Sequence, residues 1–257
     1  MPNCDNGNEN IMMKENKEKE IKDIDGFLHI IKTYRDQQLN QGQASDFLFR
    51  GQPVDCPLIP KLLRLRPKTD LLVTERTLLQ EFKRTNPLLV APYQAIDDWD
   101  ILTLGQHFGL PTRLLDWTDR ALTALWFATD YVATQSAKQE YALIWVLMPN
   151  EKDYLNDKEV EAGPFNLNET KLYRPRIIKQ RINTQSGMFS VHSTPALKSK
   201  RHLLDESEYT SKLVKIRVHK SHFAAIRADM HTLGVNAFTL FPELEGLSAF
   251  LQWKFFK

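Results

Sequence analysis

The stretch YALIWVLMP (141–149) constrains the fold more than any other in the chain. It is a continuous apolar run of strand length, which fits a central strand covered on both faces. Other segments can supply neighbours for it. KLVKIRV (212–218) alternates apolar and basic residues and reads as a half-exposed strand. DFLFRG places Phe47 and Phe49 on one face and Leu48 and Arg50 on the other. AFTLF (237–241) is short and strand-like.

Helical spacing accounts for most of the rest. Ile21, Ile24, Phe27, Leu28, Ile31 and Tyr34 mark one amphipathic helix between about Lys14 and Arg35. Further helices are expected at 74–85, at 97–109 with an Asp start and a Gly109 stop, and at 119–133. Two more are expected at 221–234 and 243–256, while 150–172 reads as polar and irregular. The expected architecture is an α+β single domain over 20–257, with a small mixed or antiparallel sheet flanked by helices. Residues 1–19 form a flexible polar tail.

Composition narrows the function classes. In the 257 residues, 34 basic and 32 acidic side chains nearly cancel, so overall charge points to no nucleic-acid partner. Cys4 and Cys56 lie far apart with no metal spacing, which argues against a disulfide framework or a zinc site. No apolar run approaches a membrane span, and the opening MPNCDNGNEN lacks the apolar core of a signal peptide. The expectation is a reduced, cytoplasmic chain with no membrane partner and no metal. Dinucleotide, ATP and zinc-hydrolase loops of the GxGxxG, Walker A and HExxH kinds are absent from the sequence.

Four stretches carry chemistry. In FLFRGQP (47–53) a guanidinium ends a strand beside Gly51 and Gln52, as a phosphate clamp or as a salt bridge at a turn. In GQHFGLPTRLLDWTDRALTALWFA (105–128), a helix ends near His107 and a connecting segment carries Arg113, Asp116, Trp117 and Thr118 into the next helix. There Asp116 or Thr118 caps that helix, with Asp116 paired to Arg113. Alternatively, the helix N-terminus faces an anion or polar ligand. YRPRIIKQRINTQSGMFSVHS (173–193) gathers Arg174, Arg176, Lys179 and Arg181 ahead of Gln185 and His192. It is either a solvated basic face or part of a site. In LFPELEGL (240–247), Glu243 and Glu245 would share a face on a strand, or would favour the dipole at a helix start.

FLFRGQ, GQHFGLPTRLLDWT with ALWFA, RPRIIKQRINTQSGMFSVH and LGVNAFTLFPELEGL together resemble the FRG domain, a bacterial and phage family named for its phenylalanine–arginine–glycine motif. Its members often look like toxin or phage-defence components, which implies an antitoxin or immunity partner. A more distant similarity runs to ADP-ribosyltransferases of the arginine–serine–glutamate type, whose first strand ends in an Arg that holds NAD. On that resemblance the fold is ADP-ribosyltransferase-like, and NAD is a substrate rather than a tightly bound cofactor. Arg50 and one of Glu243 and Glu245 are the catalytic pair, and Gln52, His107, Arg113, Asp116, Trp117, Thr118, Arg181 and Gln185 line the NAD site. Gln185 is a rival in the catalytic region, and the serine triplet is missing. The acceptor is protein, nucleic acid or water. The alternative is a non-catalytic phosphate, nucleotide or nucleic-acid binding module.

Overall fold

The structure is a computed structural model that describes residues 18–42, 46–85, 97–130, 139–176, 187–199 and 204–256. Its centre is a seven-stranded sheet. The strands are β1 (Lys19–Ile21), β2 (Leu48–Gln52), β3 (Leu114–Thr118), β4 (Tyr141–Leu147), β5 (Lys171–Tyr173), β6 (Gly187–Val191) and β7 (Leu213–His219). Their order is β1-β7-β4-β2-β3-β6-β5. β1 runs parallel to β7 and every other neighbouring pair is antiparallel, so the sheet is mixed.

The apolar run at 141 becomes β4, between β7 and β2. From Ala142 to Leu147 it is buried on both faces. Ala142, Ile144 and Val146 join Phe47, Phe49, Ile216 and Val218 in one core layer. Leu143, Trp145 and Leu147 join Leu48, Leu115, Trp117 and Leu213 in the other. Phe47 and Phe49 therefore face away from Leu48, as period-2 alternation requires.

The helices are α1 (Ile24–Asn40), α2 (Lys61–Arg64), α3 (Leu71–Thr85), α4 (Asp98–His107), α5 (Ala121–Ala128), α6 (Asp157–Ala162), α7 (Thr194–Ser199), α8 (Phe223–Thr232), α9 (Ala237–Leu240) and α10 (Leu244–Phe255); α1, α5 and α8 pack on the first layer, whereas Leu58, Leu204 and Tyr209, outside these helices, pack on the second. Local signals set several boundaries. Asp23 Oδ1 accepts from the Gly26 amide and starts α1, and Asp97 does the same for Asp100 at α4.

Three expectations are corrected. TRLLDWT is not a connection but strand β3, which pairs along its whole length with β6, so the partner that makes it a strand lies some 70 residues onward. AFTLF is helical, because Asn236 and Thr239 form a capping box whose local hydrogen bonds override β propensity. The irregular 150–172 segment holds α6, started by a second capping box between Asn156 and Glu159. Among the described residues no helix is long and apolar enough to cross a membrane.

Candidate functional site

The site forms where two central strands part. β2 and β3 share a single register pair, Phe49 with Thr118. One residue on, the side chain of Arg50 replaces a backbone donor: its Nη1 donates to the Asp116 carbonyl at 2.8 Å. Arg50 thus closes the mouth of a split in the sheet with a guanidinium instead of a ladder hydrogen bond.

Gly51 explains why the split has a floor. A Cβ there would lie 1.9 Å from the Ala124 carbonyl oxygen and 2.7 Å from the Ala128 amide nitrogen. The glycine lets the backbone of α5 rest directly on β2. Gln52, next in line, is buried and accepts from Trp145 Nε1 at 2.9 Å, a cross-strand pin to β4.

A cavity of about 350 Å³ opens over the split. Arg50, Gln106, His107, Asp116 and Thr123 supply its polar groups, and Phe127 and Phe189 its ring walls. Burial pulls the Arg50 guanidinium down to about 10, with Asp116 opposing that shift and the nearby charge of Arg64 adding to it. Arg50 stays charged at neutral pH. Its Nε is shielded from solvent and has no hydrogen-bond partner among the described residues. The carboxylate of Asp116 is 3.8 Å from Nη1 and more than half exposed. Gln106 orients that carboxylate: Nε2 donates to Asp116 Oδ2 at 2.9 Å, while Oε1 accepts from Thr112 Oγ1 at 2.6 Å.

Of the residues expected at the site, Arg50, His107, Asp116, Trp117 and Thr118 come together around this cavity. Trp117 contributes little more than its main chain, since the side chain is buried in a core layer and its Nε1 donates to Ser190 Oγ at 3.1 Å. Thr118 accepts the Arg120 amide through Oγ1 at 3.1 Å. Neither Asp116 nor Thr118 is the N-cap of α5; that position is Arg120, with no side-chain cap.

Arg113 lies elsewhere. It is 1% exposed and holds the equally buried Glu75 through Nε and Nη2, with Nη1 donating to the Pro164 carbonyl at 3.0 Å. Glu243 and Glu245 do not join Arg50. They begin α10, Glu243 as its N-cap residue and Glu245 in its first turn, and they line a separate cavity of about 550 Å³ on the far side of α5. Arg176 is bound to buried Asp100, and Arg181 and Gln185 lie outside the described residues. Gln106, Arg64 and Phe127 were not singled out from sequence. Gln106 was legible as the residue before His107 inside the long motif; Arg64 had no local signal. Among the described residues no group of His, Cys, Asp and Glu is placed to hold a metal ion.

Residues 45–137 match the family model of the FRG domain. The chain carries an FRG domain. No curated protein and no solved structure matches the chain. The FRG domain span takes in β2, α3, α4, β3 and α5, hence nearly every side chain of the Arg50 cavity. Of its motif, Phe49 is core, Arg50 faces the cavity and Gly51 seats α5.

Proposed function

We propose that the Arg50 cavity binds a phosphate-bearing nucleotide, NAD in the form that the resemblance implies, with Arg50 as the anion clamp. One observation carries this reading: a desolvated guanidinium faces a cavity and, among the described residues, its Nε has no partner and no carboxylate lies nearer than 3.8 Å. Such a charge is costly to bury unless something pairs with it. A phosphate offers two acceptor oxygens in the geometry a guanidinium fork matches. The uncapped N-terminal end of α5, with Thr123 in its first turn, adds a positive dipole end beside the same cavity. Phe127 and Phe189 give a planar base or nicotinamide its apolar walls. The volume is near the lower end of the ~300–1,000 Å³ range of small-molecule sites. That suits one phosphate-bearing half of a dinucleotide.

Asp116 favours a second reading, glycosyl transfer from NAD. It is the carboxylate that lines the cavity with Arg50, and Gln106 holds it. In that chemistry Asp116 hydrogen-bonds a ribose hydroxyl and stabilises the oxocarbenium-like charge that builds as nicotinamide leaves. Protein, nucleic acid or water accepts the ribosyl group, and a toxin or defence effector is the corresponding biology.

Titration of NAD, ADP and inorganic pyrophosphate into wild type and Arg50→Ala tests the first reading. Wild type should bind, and Arg50→Ala should lose about tenfold or more, the worth of a charge-assisted hydrogen bond. Absence of binding to all three probes overturns it. Nicotinamide release by wild type that vanishes in Asp116→Asn establishes transfer; binding without release leaves a nucleotide-binding module.

A further inference from the structure

The second cavity lies between α5, α8, α9 and α10, and the Arg50 site makes no use of it. It exists because Gly246 lets α10 sit tightly on α9: a Cβ there would lie 1.9 Å from the Phe241 carbonyl oxygen. That packing holds the start of α10, with Glu243 and Glu245, against the aromatic walls.

The walls already show which chemistry they accept. On one side the guanidinium of Arg227 lies 4.2 Å from the ring centre of Trp126. It donates through Nε to the Thr129 carbonyl at 3.1 Å and through Nη2 to the Trp126 carbonyl at 2.9 Å. On the other side His231 packs against Trp253 at 4.6 Å and Phe250 at 5.6 Å, and the Lys254 ammonium lies 5.8 Å from the Phe250 ring centre at the edge of that face. Among the described residues the lining carries the carboxylates of Asp130, Glu243 and Glu245 and the guanidinium of Arg227, so carboxylates outnumber cations there. Its His231 Nδ1 is shielded from solvent and has no hydrogen-bond partner among the described residues.

We infer that this cavity is a second ligand site and that it takes a guanidinium group. Aromatic faces backed by carboxylates attract an organic cation through the ring quadrupole and net charge together. The orphaned His231 nitrogen narrows the choice, because a cation that carries N–H donors can offer it a hydrogen bond. A quaternary ammonium cannot. A guanidinium stacks flat on Trp253 and donates to His231 and to the glutamates at once. The group comes either from a free alkylguanidine or from an arginine side chain of a polypeptide.

Calorimetric titration of the full chain with agmatine, N-butylurea and the peptide Gly-Gly-Arg-Gly-Gly tests this. The urea has the same planar shape without the charge. Agmatine or the peptide should bind saturably, and the urea about tenfold or more weakly. Glu243→Gln with Glu245→Gln should weaken the cation by about tenfold, and Trp253→Ala by about threefold. Tighter binding of the peptide than of agmatine assigns a polypeptide source, and the reverse a free small molecule. Urea binding equal to that of the cations, or no saturable binding by agmatine or peptide to wild type, overturns the inference whether or not the variants fold. Because the probes carry no phosphate, the result is independent of the nucleotide reading at Arg50.

Discussion

Arg113 and Arg50 stand at the two ends of the same piece of sheet and have opposite fates. Arg113 precedes β3, is sealed from solvent, and spends its donors on Glu75 and on the Pro164 carbonyl. Arg50, on β2, donates to a main-chain carbonyl, and its Nε beside the cavity has no partner among the described residues. The first charge is neutralised from within the chain, so its worth is structural. The second is held ready for an anion from outside, so its worth is in binding. The difference shows where stability and function have been separated within a few ångströms of sheet.

The largest effect should come from breaking the closed pair. Arg113→Ala leaves the buried Glu75 carboxylate without its guanidinium, with the residue-113 amide still donating to it, and should cost about 3–5 kcal/mol, read as a fall in the denaturation midpoint. The double change Arg113→Met with Glu75→Gln should recover most of that, because no buried charge is left behind. If Arg113→Ala is instead neutral, the two arginines are not different in kind.

A pH effect beside the closed pair comes next. Burial pushes the His192 imidazole down to about 4, with the Leu58 and Arg113 carbonyls opposing the shift and the charge of Arg113 adding to it. The folded state therefore resists a proton that the unfolded chain accepts at its ordinary value near 6.5. His192 contributes its full stability above about pH 6.5, and that contribution is lost as pH falls towards 4. The span corresponds to about 3 kcal/mol. Thermal melts of His192→Asn should show a flatter dependence between these limits than wild type. Parallel curves would rule out the imidazole as the cause.

Gly51→Ala probes the open arginine through its neighbour. The new Cβ overlaps the Ala124 carbonyl, and α5 must move off β2. Overpacking of this kind costs about 1–3 kcal/mol. Because α5 also carries Thr123 and Phe127, nucleotide binding should fall together with stability.

Arg50→Met should have the smallest effect on the fold, about 1 kcal/mol at most, the net value of the hydrogen bond to Asp116. A melting curve close to wild type combined with lost nucleotide binding is the sharpest form of the contrast with Arg113. A collapse of stability would instead make Arg50 a second structural arginine.

Patterns carried by adjacent residues were legible without coordinates. The run at 141–147 read as a central buried strand from its length and continuous apolar character, and Ala142 to Leu147 are buried. α4 followed from its Asp start and apolar spacing, the start of α10 from acidic residues after a proline, and the phenylalanine–arginine–glycine motif marked the strand that bears the anion clamp. Features that depend on residues far apart were decided only by the tertiary structure. β3 is a strand because β6 lies beside it, Arg113 is neutralised because α3 brings Glu75 to it, and Glu243 and Glu245 are kept from Arg50 by the body of α5. A cation's role depends on which carboxylate reaches it, and hydrogen bonds and ion pairs act over a few ångströms of space, however long the chain between the partners.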